Sequence, residues 1–192
     1  VVYQRGGGKY IIPEGWTRIC LWIDQKHCEQ NGVFKTWHPA YHGTTKENVE
    51  KIINGGCKFL CPGQVRPDGS IHGIRTDTGR IRSKFTRINE YTKKEELFDP
   101  NQVFTSPSIK YAGDCYSKWF VCNHPNQSNK EIKVKFTFAI RQKADSFGIG
   151  QETIGAGNNP ISPHIGNDRI EYYTKNNDTN HFAVMGLLMK YQ

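Results

Sequence analysis

Between residues 131 and 140 the sequence reads EIKVKFTFAI, with Ile132, Val134, Phe136, Phe138 and Ile140 alternating with mostly polar neighbours. A period of two sends successive side chains to opposite faces of an extended chain, so this stretch predicts a strand with one buried and one wetted face. Three further segments read as strands: 18–24, 168–174, and the apolar run 182–189, expected to be central. That run is far shorter than the roughly 18 apolar residues of a membrane span, so a membrane partner is not expected.

Helix signals are fewer. Thr44-Thr45-Lys46-Glu47 reads as a capping box, in which the Thr44 hydroxyl accepts from the Glu47 amide and the carboxylate reaches back. Val49, Ile52 and Ile53 then form an apolar stripe, ended by Gly55-Gly56. A second helix is predicted from Ser106-Pro107, with Ser106 as N-cap and Ile109, Ala112 and Tyr116 on one face. Both follow short strand-like pieces, Tyr41-His42 and Val103-Phe104, and such junctions turn backbone N–H groups toward a cleft.

At 192 residues the chain has room for one sizeable core. The expected organisation is a flexible N-terminal segment, 1–14, containing Gly6-Gly7-Gly8, and a single domain, 15–192. Within it, 62–102 reads as a long basic loop. Twenty-six Lys and Arg against eighteen Asp and Glu give a net charge of +8, which favours anionic partners. Residues 66–94 carry eight of those cations against Asp68, Asp77 and Glu90, a local excess of +5. Six cysteines are too sparse to demand a disulfide framework and suit a cytosolic or nuclear, hence intracellular, protein. Cys57 and Cys61 have no second close pair to complete a zinc site, so no metal is expected.

The order of motifs carries more than any one of them. Trp37-His-Pro-Ala-Tyr-His-Gly-Thr44, a helix ending in Gly55-Gly56, Phe104-Thr-Ser-Pro-Ser-Ile-Lys-Tyr-Ala112 with Tyr116, and Ile170-Glu-Tyr172 together resemble the ADP-ribosyltransferase superfamily. The likeness is to its His-Tyr-Glu branch, which contains the poly(ADP-ribose) polymerases, and it runs from about Gly15 to Tyr191. It implies a mixed α+β fold with split, antiparallel-rich sheets and a few flanking helices. It also implies consumption of NAD, most plausibly mono-transfer of ADP-ribose to a protein or nucleic-acid acceptor, with release of nicotinamide.

By the same resemblance Glu171 is the catalytic carboxylate. Leaving of nicotinamide develops oxocarbenium-like charge on the ribose, which a carboxylate stabilises. His42 is expected to bond the adenosine ribose hydroxyls and the Gly43 backbone the nicotinamide carboxamide, with Thr44 mainly the helix cap. Phe104 falls where the triad tyrosine would stand; Tyr111 and Tyr116 are the other candidates to stack on nicotinamide, and Ser106 is a candidate for its carboxamide. Asp99-Pro-Asn-Gln102 replaces the Gly-x-Gly turn of many relatives. Arg80, Arg82, Lys84 and Arg87 are expected contacts for phosphate or an anionic acceptor, and the protein is expected to be a monomer. Two other readings remain open: an RNA 2′-phosphotransferase, which shares a His-Gly-Thr motif, and a catalytically silent module that binds through the basic loop.

Overall fold

The computed structural model describes residues 1–73, 86–88, 93–97, 99–174 and 179–192. In chain order the strands are β1 (Val2–Arg5), β2 (Gly8–Ile11), β3 (Thr17–Ile19), β4 (His38–Gly43), β5 (Thr86–Ile88), β6 (Glu95–Leu97), β7 (Val103–Thr105), β8 (Phe120–His124), β9 (Gln127–Gln142), β10 (Gly148–Gly150), β11 (Glu171–Thr174) and β12 (Phe182–Tyr191). Helices α1 (Gln25–Gln30), α2 (Val33–Thr36) and α3 (Lys46–Asn54) are joined by a π-helix at Lys110–Tyr116. The architecture is mixed α+β, with antiparallel sheets and few helices.

The alternating segment becomes β9, the spine of the larger sheet. Its C-terminal half pairs β4 on one side and β12 on the other, β3 continues beyond β12, and β8 pairs its N-terminal half. β12 is interior, as its apolar run predicts. A second, smaller sheet has the order β10-β11-β7. The two meet where Tyr41 and Ser106 exchange backbone hydrogen bonds of 2.8 and 2.9 Å. Between them lies the main core: Ala40, Phe138, Ile140, Val184 and Leu187 from the large sheet against Val103, Phe147 and Tyr172, with Val49 and Phe59 closing it.

Several expectations require correction. Over 131–140 the second face of β9 is wet only at Glu131 and Lys133; further along, Lys135, Thr137 and Arg141 are buried with Val134, Phe138 and Ile140. The π-helix covers that face, and a Cβ on Gly113 would stand 3.0 Å from Thr137 Oγ1 and 2.6 Å from the Trp16 ring. Lys135 is accommodated because its Nζ reaches the Gly113 carbonyl at 3.0 Å and Asp114 Oδ1 at 2.7 Å, with the Trp16 and Trp119 rings 5.2 and 4.8 Å away. Likewise the strand expected over 18–24 stops at Ile19. Asp24 instead caps α1, accepting from His27 N at 2.9 Å, and α1 and α2 bury Cys28, Val33 and Trp37 against Ala183 and Met185.

The N-terminal segment expected to be flexible forms the β1–β2 hairpin, turning through Gly6 and Gly7 at φ 60° and 84°. It docks through Ile11, whose N–H donates to Pro107 O and whose carbonyl accepts from the Tyr41 hydroxyl at 2.7 Å. The 62–102 segment is not devoid of structure: Val65 bridges Ile71, and β5 pairs β6, placing Arg87 opposite Glu96. Arg80, Arg82 and Lys84 lie outside the described residues.

Both helix starts also differ. Thr45, not Thr44, is the N-cap of α3, and its side chain makes no cap bond; the Thr44 hydroxyl accepts from Asn48 Nδ2 at 3.1 Å. The Glu47 carboxylate bonds its own amide and the Thr45 hydroxyl, which hold it below its ordinary pKa. The expected stop survives, with Gly56 left-handed at φ 74°. In the second case Ile109, not Ser106, precedes the helix. The Ser106 hydroxyl accepts from Ser108 N at 3.0 Å and donates to Ile170 O at 2.7 Å, so it ties β7 to the start of β11.

Candidate functional site

Glu171 opens β11 after a short helical turn, Asn167–Arg169. Register fixes its company: Glu171 opposes Gly150 of β10, and Tyr173 opposes Phe104 of β7. Directly paired residues and those two apart share a face, so Glu171, Tyr173 and Phe104 are on one side of the small sheet. The opposite side, with Tyr172 stacked on Phe147 at 4.4 Å, belongs to the core.

The Glu171 side chain is fully buried, at 0% exposure. A carboxylate so placed needs donors, since burying it without hydrogen bonds is costly. Two hydroxyls supply them: Tyr111 donates to Oε2 at 2.8 Å and Thr153 donates to the same oxygen at 3.0 Å. The cluster closes on itself, for Thr153 N donates to the Tyr111 hydroxyl at 2.9 Å and the Tyr116 hydroxyl lies 2.9 Å from Thr153 Oγ1 and 3.1 Å from that of Tyr111. The two tyrosine rings meet edge to face, with centroids 5.3 Å apart. Burial first, and then the Glu171 charge, push both phenols upward, Tyr116 to about 12. Both therefore stay protonated donors at neutral pH.

The π-helix explains how two tyrosines five residues apart reach one hydroxyl. Its wider turn brings Tyr111 and Tyr116 closer to one face, whereas an α-helix separates such positions by more than a quarter turn. Thr153 was not foreseen from sequence; it lies in a loop with no periodicity. The adjacent Glu152 shapes that loop, accepting from the amides of Ile154 and Gly155 at 2.7 and 2.8 Å and of Gly157 at 3.2 Å. It is thereby committed to the turn, which leaves Glu171 as the carboxylate of this cluster.

His42 and Phe104 form a second group. His42 Nδ1 is 2.8 Å from Phe104 O, and because a carbonyl only accepts, Nδ1 carries a proton. Phe59 holds the imidazole edge-on at 4.7 Å. Gly43 does permit a close approach, but of the protein's own backbone: a Cβ there would lie 1.8 Å from the Ala112 carbonyl oxygen. Thr44 O accepts from Lys118 N at 3.4 Å. Strand β7 links the groups, since Phe104 bonds His42 and Ser106 bonds Ile170, the residue before Glu171.

Among the described residues no group of three or more His, Cys, Asp or Glu is placed to hold a metal ion, and no helix is long and apolar enough to cross a membrane. No protein-family model matches the chain, and no solved structure matches it.

Proposed function

We propose that the chain is an NAD-consuming ADP-ribosyltransferase that transfers single ADP-ribose units to a protein or nucleic-acid acceptor and releases nicotinamide. The observation that carries this reading is the Glu171 carboxylate, held by the Tyr111 and Thr153 hydroxyls on a strand whose neighbour, β7, is bonded to His42. The specific ADP-ribosyltransferase fold is part of the same proposal. Its basis is the split between two antiparallel sheets at Tyr41 and Ser106, with motif residues from β4, β7 and β11 near that split.

In this reading Glu171 faces the nicotinamide ribose, where its charge stabilises the oxocarbenium-like state and bonds the 2′-hydroxyl. His42 Nε2 bonds the adenosine ribose hydroxyls. Phe104, with no hydroxyl, stacks without hydrogen-bonding, while Tyr111 and Tyr116 set the position of the carboxylate. Substrate entry requires the Thr153 loop to leave the carboxylate, because Glu171 has no exposed surface while that loop is in place. Arg80, Arg82, Lys84 and Arg87 are proposed to serve an anionic acceptor.

The same complete burial favours a second reading, a catalytically silent binding module whose carboxylate is purely a packing element. Incubation with NAD labelled in the adenylate half, followed by nicotinamide release and mass spectrometry of a protein, DNA and RNA panel, separates the two. The enzyme releases nicotinamide and labels an acceptor; the silent module does neither.

A further inference from the structure

The face of the large sheet opposite His42 carries a group of arginines that the proposed NAD site does not use. Arg141 pairs Pro39 across β9 and β4, whereas His42 pairs Phe138, so odd and even positions put the two side chains on opposite faces. Arg141 is only 8% exposed, and its Nη1 is buried with no hydrogen-bond partner among the described residues. No carboxylate pairs with it there either. The neighbouring Tyr41 hydroxyl is already spent on Ile11 O.

The charges around Arg141 are of its own sign. Burial, followed by the nearby Arg5 among other groups, lowers its pKa, and Arg18 acts in the same direction. Arg5 ends β1 and Arg18 lies in β3; both are exposed, whereas Arg141 is buried. Arg18 is held in place: its Nη2 donates to Met185 O at 2.7 Å, and it lies across Gly186, where a Cβ would be 3.0 Å from Nε. A buried cation with like charges beside it is costly unless an anion pairs with it.

We propose that Arg5, Arg18 and Arg141 form a binding site for a phosphate group. Three cations with no acidic partner among the described residues match a doubly charged oxyanion better than a single carboxylate, and a guanidinium fork presents paired N–H groups to two phosphate oxygens. The site is independent of the ADP-ribosyl reading, since it shares no residue with Glu171 or His42.

Inorganic phosphate titrated against chloride at matched ionic strength, read by calorimetry and by the melting midpoint, tests it. Phosphate raises the midpoint of the parent chain, and Arg141→Gln weakens binding by ~tenfold or more. Without phosphate, Arg141→Gln is no less stable than the parent, because it removes a buried unpaired cation. Should that variant fail to fold, the exposed pair Arg5→Gln and Arg18→Gln carries the test and weakens binding severalfold, while Glu171→Gln keeps the full phosphate response. A 5′-phosphorylated oligonucleotide that binds more tightly than inorganic phosphate, and than its 5′-hydroxyl counterpart, identifies a nucleic-acid end as the source; equal binding of all but the hydroxyl form identifies free phosphate. No response beyond chloride, or undiminished binding in the double variant, overturns the proposal.

Discussion

Tyr111 is the residue on which the polar groups of the site converge. Its hydroxyl donates to Glu171, accepts from Thr153 N, and sits 3.1 Å from that of Tyr116. Tyr111→Phe keeps the ring but takes one donor from the carboxylate and the hydroxyl acceptor from the Thr153 amide. Hydrogen bonds to charged groups contribute about 1.5–3 kcal/mol, so urea denaturation should show a loss of that size. A loss below about 0.5 kcal/mol would mean the hydroxyl cluster does not hold Glu171. His42 gives a contrasting case: His42→Ala removes a hydrogen-bonding group from the proposed NAD site but leaves β4 paired along its length. Calorimetry should find NAD affinity lowered by roughly tenfold, the loss of one hydrogen bond to the ligand, with the fold retained and a modest fall in melting midpoint from the lost bond to Phe104 O.

At the scale of elements, the contact between β4 and the π-helix is the least forgiving. Gly43→Ala places a methyl group 1.8 Å from the Ala112 carbonyl oxygen, and backbone cannot rotate aside as a side chain does. The expected cost is about 3 kcal/mol or more, read as a fall in melting midpoint together with a changed near-ultraviolet signal from Tyr111 and Tyr116. What sequence made legible follows the same physics. β9 and β12 were readable because alternation or a long apolar run is imposed by burial over many residues. β3, α1 and α2 were not, since elements of three to six residues hold too few buried positions to set a period. Sequence places Glu171 inside a strand over 168–174, whereas 167–169 form a helical turn and Glu171 opens β11; its tie to Thr153 is not legible, because a loop residue becomes a partner only once β10 and β11 pair. At Gly43, expected as a ligand contact, packing against Ala112 is by itself enough to require a glycine.

Over the whole molecule, buried titratable groups fix the pH range of stability. Burial lowers the pKa of His38 from its ordinary 6.5, so the unfolded chain takes up a proton that the fold resists. Stability is therefore present above pH 6.5 and is lost as pH falls through the folded value. In the alkaline range the signs reverse. Tyr41, Tyr111 and Tyr116 are raised from 10.0, Tyr116 to about 12, so above pH 10 the unfolded chain releases protons that the fold retains. Burial likewise raises the thiols of Cys28, Cys57 and Cys115 from 9.0, so melting midpoints should form a plateau from about pH 7 to 8.5 and decline on both sides. Tyr116→Phe should flatten the alkaline limb, and an unaltered limb would show that Tyr116 titrates alike in both states.

The proposed enzyme depends most directly on one charge. Replacing the Glu171 carboxylate by an amide preserves shape and burial while removing the group that stabilises the oxocarbenium-like state. The decisive measurement is nicotinamide release from NAD by the parent chain and by Glu171→Gln, with folding of both verified by circular dichroism. The expected result is turnover by the parent and a loss of roughly a hundredfold or more in the variant. Equal turnover in the two, or none in the correctly folded parent, would contradict the assignment.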